Sequence, residues 1–146
     1  MVTCLLDVNL LIALLWPAHK EHGKAQSWFA ENAHQGWATC PITENGFIRI
    51  TSGFAYPNLR VTPEEAAQSL RTLRQHYFAS YQFWAEGVSL TDESLFELGQ
   101  LTSSKQTTDI YLAGLAFHRR AKLATFDVSV PWTAVRAASA ELVEVI

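Results

Sequence analysis

An α/β fold is what this chain predicts, with a mostly parallel sheet of roughly five strands and helices layered on both faces. Three observations predict it. Short apolar runs such as Cys4-Leu5-Leu6, Trp37-Ala38-Thr39-Cys40 and Leu123-Ala124-Thr125-Phe126 lack the polar alternation of a one-faced strand, as expected of strands buried on both faces. Helical patterns separate these runs, which implies βαβ units joined by right-handed crossovers. The 146 residues, 49% hydrophobic and 17% charged, are enough for one domain spanning 1–146 and its core.

The elements follow in order. Residues 2–6 read as a buried strand, and Leu10, Leu11, Ile12, Leu14 and Leu15 mark a short helix ended by Trp16-Pro17. Residues 19–34 form an amphipathic helix with Ala25, Trp28 and Phe29 on its inner stripe. Gly36 admits the strand Trp37–Cys40, Pro41 stops it, and Thr43 is placed to cap a helix over 44–51. The stretch Thr51-Ser52-Gly53 through Tyr56-Pro57-Asn58 reads as a surface loop. Thr62-Pro63-Glu64-Glu65 opens a helix running to about Gln75, with a cap, a first-turn proline and acids at the positive end of the dipole. Tyr81–Trp84 reads as an edge strand, and Thr91-Asp92-Glu93 as the start of a helix carrying Leu95, Phe96 and Leu98. Residues 108–120 form a helix apolar nearly all round, hence central. Lys122–Phe126 and Leu142–Val145 close the list as strands.

Bulk composition narrows the function. A net charge of −3 gives no global attraction to nucleic acid, so polyanion binding would rest on local basic patches. Cys4 and Cys40 sit among apolar neighbours and read as buried free thiols. No Cys/His framework has zinc spacing, no basic leader precedes the first strand, and no apolar run approaches the ~20 residues a membrane helix needs. A soluble cytoplasmic protein is the expectation.

Four acids carry the chemistry. Asp7 and Asp127 each end an apolar strand run, and Glu44 and Asp109 each follow a helix-starting signal. In a parallel sheet, strand C-termini and helix N-termini share one edge, and ligands bind there. Each acid alone could be a turn or helix-start residue. Four on one edge would repel unless a cation held them, and carboxylates without His or Cys companions favour Mg²⁺ or Mn²⁺ over zinc. Such a site can stabilise the attacking and leaving oxygens of a phosphodiester.

The segments around these acids resemble a known family. Cys4-Leu5-Leu6-Asp7-Val8-Asn9-Leu10-Leu11-Ile12-Ala13-Leu14 resembles the opening of PIN-domain ribonucleases, specifically the VapC toxins of toxin–antitoxin pairs. Trp37 through Ile50, containing Thr43-Glu44-Asn45, is similar to the second acidic motif. Thr107-Thr108-Asp109-Ile110-Tyr111-Leu112 is similar to the third and Ala124-Thr125-Phe126-Asp127 to the fourth. The resemblance implies a three-layer PIN-like domain and a metal-dependent endoribonuclease. It implies tRNA or ribosomal RNA as substrate, a VapB-like antitoxin partner and a homodimer. Carried over, Asp7, Glu44 and Asp109 would be the principal metal ligands and Asp127 would support a second ion. Asn9 and Thr125 would orient the carboxylates. Val128-Ser129-Val130 follows the fourth acid where many relatives carry a basic residue, a departure at the position of a phosphate contact.

Other residues have competing readings. His19 and His22 share a helix face at i,i+3 and read as surface or dimer contacts rather than a zinc pair. His118-Arg119-Arg120 with Lys122 reads as charge at a helix C-terminus, with RNA contact as the alternative. Arg49 and Lys105 are candidate substrate or antitoxin contacts. The five tryptophans read as core or interface. Among rival functions, a phosphoaspartyl phosphatase needs a second acid where Asn9 stands. A receiver-type phosphoacceptor domain needs a Lys on the last strand, which here reads Leu142-Val143-Glu144-Val145-Ile146. A catalytically silent antitoxin-binding module remains as the other alternative.

Overall fold

The computed structural model describes residues 2–53 and 61–146. Strand β1 (Cys4–Leu6) leads into α1 (Val8–Leu15) and α2 (His22–Asn32). Then come β2 (Trp37–Thr39), α3 (Pro41–Thr51), α4 (Pro63–His76), β3 (Tyr81–Phe83), α5 (Thr107–His118), β4 (Lys122–Thr125) and β5 (Val143–Val145). The sheet runs β3-β2-β1-β4-β5 with every neighbouring pair parallel. The surface loop expected after Thr51 lies mostly outside the described residues. Among the described residues, no helix is long and apolar enough to cross a membrane.

Side-chain alternation along the strands divides the core. Cys4, Leu6, Trp37 and Ala124 face α1–α4, whereas Leu5, Ala38 and Leu123 face α5 and the turns around it. Helix α5 buries Ile110, Leu112, Ala113, Leu115 and Ala116, so its all-round apolarity reflects a helix wrapped between the sheet and outer turns. This is the three-layer α/β arrangement the sequence predicts. Gly36, at φ +120°, lies against Thr3 where a Cβ would collide, so the entry to β2 requires glycine.

Three local expectations are corrected. Helix α2 starts at His22 instead of residue 19, because the His19 ring nitrogen accepts the Glu21 N–H (3.0 Å) and holds a turn there. Helix α3 starts at Pro41. The Cys40 N–H donates to the Thr43 hydroxyl (3.0 Å), so Thr43 closes the cap from inside the helix instead of preceding it.

The third correction is larger, since Thr91-Asp92-Glu93 opens no α-helix. The Asp92 carboxylate takes both the N–H and the hydroxyl of Ser94 (3.0 and 2.6 Å), a turn that competes with helix. The next backbone groups bond outward, Glu97 N–H to Ala134 O and Arg136 N–H to Leu95 O, each at 2.8 Å. Phe96, 3% exposed, lies on Gly114 of α5, where a side chain would collide with its ring.

Phe96 therefore anchors a segment that has little regular structure of its own. Phe96→Ala is expected to lower the unfolding free energy by about 3–5 kcal/mol in urea denaturation. A loss below ~1 kcal/mol would show that the segment is held some other way.

Candidate active site

The strand order places a topological switch point between β1 and β4. From β1 the sheet grows through β2 to β3 on one side, and β4 and β5 extend it on the other. The strand ends stay paired there, with the Asp7 N–H on Ala124 O at 3.0 Å, and a switch point of this kind is where ligands of parallel sheets sit. Asp7 follows β1 directly, and Asp127 lies two residues after β4.

Thr125 fastens the two ends together. Its hydroxyl donates to Asp7 Oδ2 (2.8 Å) and accepts from the Asn9 side-chain amide and the Asp127 N–H (each 3.1 Å). A hydroxyl has one donor and two acceptor sites, and all three are used. Asp7 also caps α1, accepting the Val8 N–H at 2.8 Å. Asn9 and Thr125, the two residues expected to orient the carboxylates, are thus bonded to each other, and Thr125 to Asp7.

Three aspartates share this edge and disturb one another. Asp7 is 7% exposed. Burial raises its pKa, the bonds from Thr125 and Val8 partly offset this, and the Asp127 charge raises it further. Asp109, in the first turn of α5, is pushed up to about 6, first by burial and then by the charges of Asp7 and Asp127. Asp127 moves the other way because the Ser129 hydroxyl and N–H donate to it (2.6 and 2.8 Å), and protonated Asp109 adds a further bond. As donors, an all-oxygen set of this kind suits a hard cation better than zinc.

Glu44 sits apart from this trio in its bonding. Its carboxylate accepts from the Thr39 hydroxyl at the end of β2 (2.8 Å), with the Tyr81 hydroxyl at 3.4 Å and Arg74 Nη1 at 4.0 Å. Tyr81 and Thr39 are themselves bonded at 2.6 Å. Burial, with the Glu44 charge adding to it, raises the Tyr81 phenol. Among the described residues, no three His, Cys, Asp or Glu side chains are gathered closely enough to hold a metal ion.

Sequence reasoning missed Thr39, Arg74, Tyr81 and Ser129. Asp127-Val128-Ser129 has the Asx-turn spacing that could have revealed Ser129. No local pattern announces the other three: Thr39 reaches Glu44 across the turn from β2 into α3, Arg74 comes from α4, and Tyr81 arrives through the pairing of β2 with β3.

No family model matches the chain. Curated relatives do. Ribonuclease VapC39 of Mycobacterium tuberculosis is 39% identical over 145 residues, covering 99% of this chain and 100% of that protein. Ribonuclease VapC44 of the same organism is 39% identical over 136 residues, 92% of this chain and 93% of that one. Ribonuclease VapC29 is 31% identical over 128 residues, 86% of each. The chain belongs to the VapC ribonuclease family.

The remaining candidates of this VapC-family chain sort by position. His118, Arg119 and Arg120 close the C-terminal end of α5, about 14 Å along the helix from Asp109 and away from the acidic edge. Arg119 lies over the Trp84 ring (5.3 Å) and donates to Glu86 O (3.2 Å), while Lys122 faces Glu144 at 3.9 Å. Arg49 and Lys105 are exposed, with no ion pair among the described residues. His22 bonds Ala13 O (2.8 Å) and ties α2 to α1, whereas His19 lies outside the helix, so the two share no helix face. Cys4 and Cys40 are free and buried, and burial raises the Cys4 thiol to about 11. Trp37 and Trp84 are core, at 1% and 2% exposure.

The raised carboxyls set a pH dependence. Asp109 binds its proton more tightly folded than unfolded, so in metal-free buffer its contribution to stability grows as pH falls from 7 through 6 toward 4. Asp109→Asn should raise the melting temperature in EDTA at pH 7 and flatten this rise, as read by thermal denaturation. An unchanged pH profile in the variant would mean that the carboxylates do not repel as described.

Proposed function

We propose that this chain is a metal-dependent endoribonuclease, the toxin of a VapBC-like toxin–antitoxin pair, which hydrolyses RNA phosphodiester bonds. The observation that carries the reading is the placement of Asp7, Asp109 and Asp127 together at the switch point, with Thr125 and Asn9 bonded into the cluster. Mg²⁺ or Mn²⁺ bound among these oxygens supplies the positive charge that phosphodiester hydrolysis needs. The relatives are named as ribonucleases, which agrees with this chemistry.

Each residue then has a task. Asp7 and Asp109 hold the cation, and Asp127, kept ionised by Ser129, adds charge on the same side. Thr125 and Asn9 keep Asp7 from rotating away. Glu44 joins as a ligand, directly or through water, from its position on Thr39 and Arg74. Arg49 and Lys105 are free to contact phosphate or an antitoxin carboxylate. In-line attack by water leaves 5′-phosphate and 3′-hydroxyl ends. The substrate we propose is a structured RNA, tRNA or ribosomal RNA, and the working protein a cytoplasmic homodimer silenced by a VapB-like antitoxin.

One observation favours a second reading. Glu44 is engaged by a cation and hydroxyls of the chain itself, as suits a catalytically silent module that only binds its antitoxin. A metal-titrated cleavage assay on tRNA and ribosomal RNA separates the two. The native chain is expected to cut only with Mg²⁺ or Mn²⁺, and Asp7→Asn to cut about a hundredfold to a thousandfold more slowly, the range set by losing one strong electrostatic contact. Cleavage by Asp7→Asn at the native rate in excess Mg²⁺ would remove Asp7 from the chemistry.

A further inference from the structure

Beside Glu44, the end of α4 and the start of β3 frame a hollow of about 470 Å³ lined by Arg71, Arg74, Gln75, Phe78 and Tyr81. Its volume lies in the range of small-ligand sites. Phe78, two residues past the end of α4, is 75% exposed. Arg74 lies over the Tyr81 ring (4.9 Å) with Nη1 4.0 Å from the Glu44 carboxylate, so the hollow adjoins one of the candidate metal ligands. Arg71 is held on the outer rim by Glu64 (2.7 Å) and Gln68 (3.1 Å). Gln75 is exposed, and among the described residues its amide has no side-chain bond.

A bare aromatic ring, a guanidinium and a free amide are the groups with which proteins hold unpaired RNA. Bases stack on the ring, phosphate meets the cation, and the amide reads a base edge. A single apolar ring between two arginines suits a nucleotide better than a protein segment, which would need a wider apolar face. The acidic edge repels phosphate, and Arg74 places positive charge alongside it. Resting on the nuclease reading above, we propose that this hollow seats one nucleotide of the RNA substrate on the flank beside Glu44. Its base lies on Phe78, its phosphate on Arg74 and its base edge within reach of Gln75.

The test measures binding apart from cleavage. A fluorescein-labelled RNA decamer of randomised sequence is titrated with the Asp109→Asn chain, and anisotropy is recorded with and without a second change at Phe78. Phe78→Ala is expected to weaken binding about fivefold or more with an unchanged thermal melt, and Phe78→Trp to retain it. Equal binding by Phe78→Ala overturns the proposal, as does a parent that binds no decamer. A Phe78→Ala chain that keeps RNA but loses its cognate antitoxin overturns it too, making the hollow a protein-docking site. The two readings fail separately. A native chain that cuts no RNA, but whose decamer binding depends on Phe78, retains the subsite and loses the nuclease. One that cuts RNA with unchanged binding and cut positions in Phe78→Ala retains the nuclease and loses the subsite.

Discussion

Like charges brought together at the switch point between β1 and β4 are the constraint around which this molecule is arranged. Asp7 is nearly buried, Asp109 is half-covered, and Asp127 faces both. Left alone, such a group would swing apart or take up protons. The chain prevents the first with Thr125, whose one hydroxyl spans both strand ends, and shows the second in the elevated Asp109 carboxyl. Stability is therefore given up at this edge, a pattern common at functional sites.

Glu44 shows a different solution to the same problem. It lies beyond β2, where the neighbouring strand supplies Tyr81 and α4 supplies Arg74, so its charge is met by the chain itself. The acidic edge is thus uneven, with three carboxylates short of positive charge and a fourth already provided for. That unevenness separates the candidate catalytic centre, at the switch point, from the arginine-bearing flank where we place a substrate nucleotide.

The sheet supports both regions through burial on two faces. Leu5, Ala38 and Leu123 on one side and Leu6, Trp37 and Ala124 on the other fix the register, because a one-residue slip would exchange the two faces. On the α5 side the cover is irregular, and Phe96 on Gly114 takes the part that another helix would fill. The turn at Asp92 and the bonds to 134–136 explain why a segment with helix-like spacing forms none.

Much was legible in the residue order. Unalternating apolar runs marked the three inner strands, the two edge strands were read at Tyr81–Trp84 and Leu142–Val145, and the acids were located by what precedes them. The family resemblance of the four acidic motifs agrees with the curated relatives. Strand ends and helix starts are local properties, set by side-chain burial and capping within a few residues. The order β3-β2-β1-β4-β5, the hydroxyl of Thr125 between Asp7 and Asp127, and the capture of Glu44 by Tyr81 and Arg74 were not legible. The contacts of Thr125 with Asp7 and of Glu44 with Tyr81 and Arg74 join residues 30 to 118 positions apart, and no local pattern records which strands become neighbours. Sequence alone determined which side chains could do the chemistry; packing of the sheet decided which of them meet, since charge and hydrogen-bonding partners are chosen by distance in space.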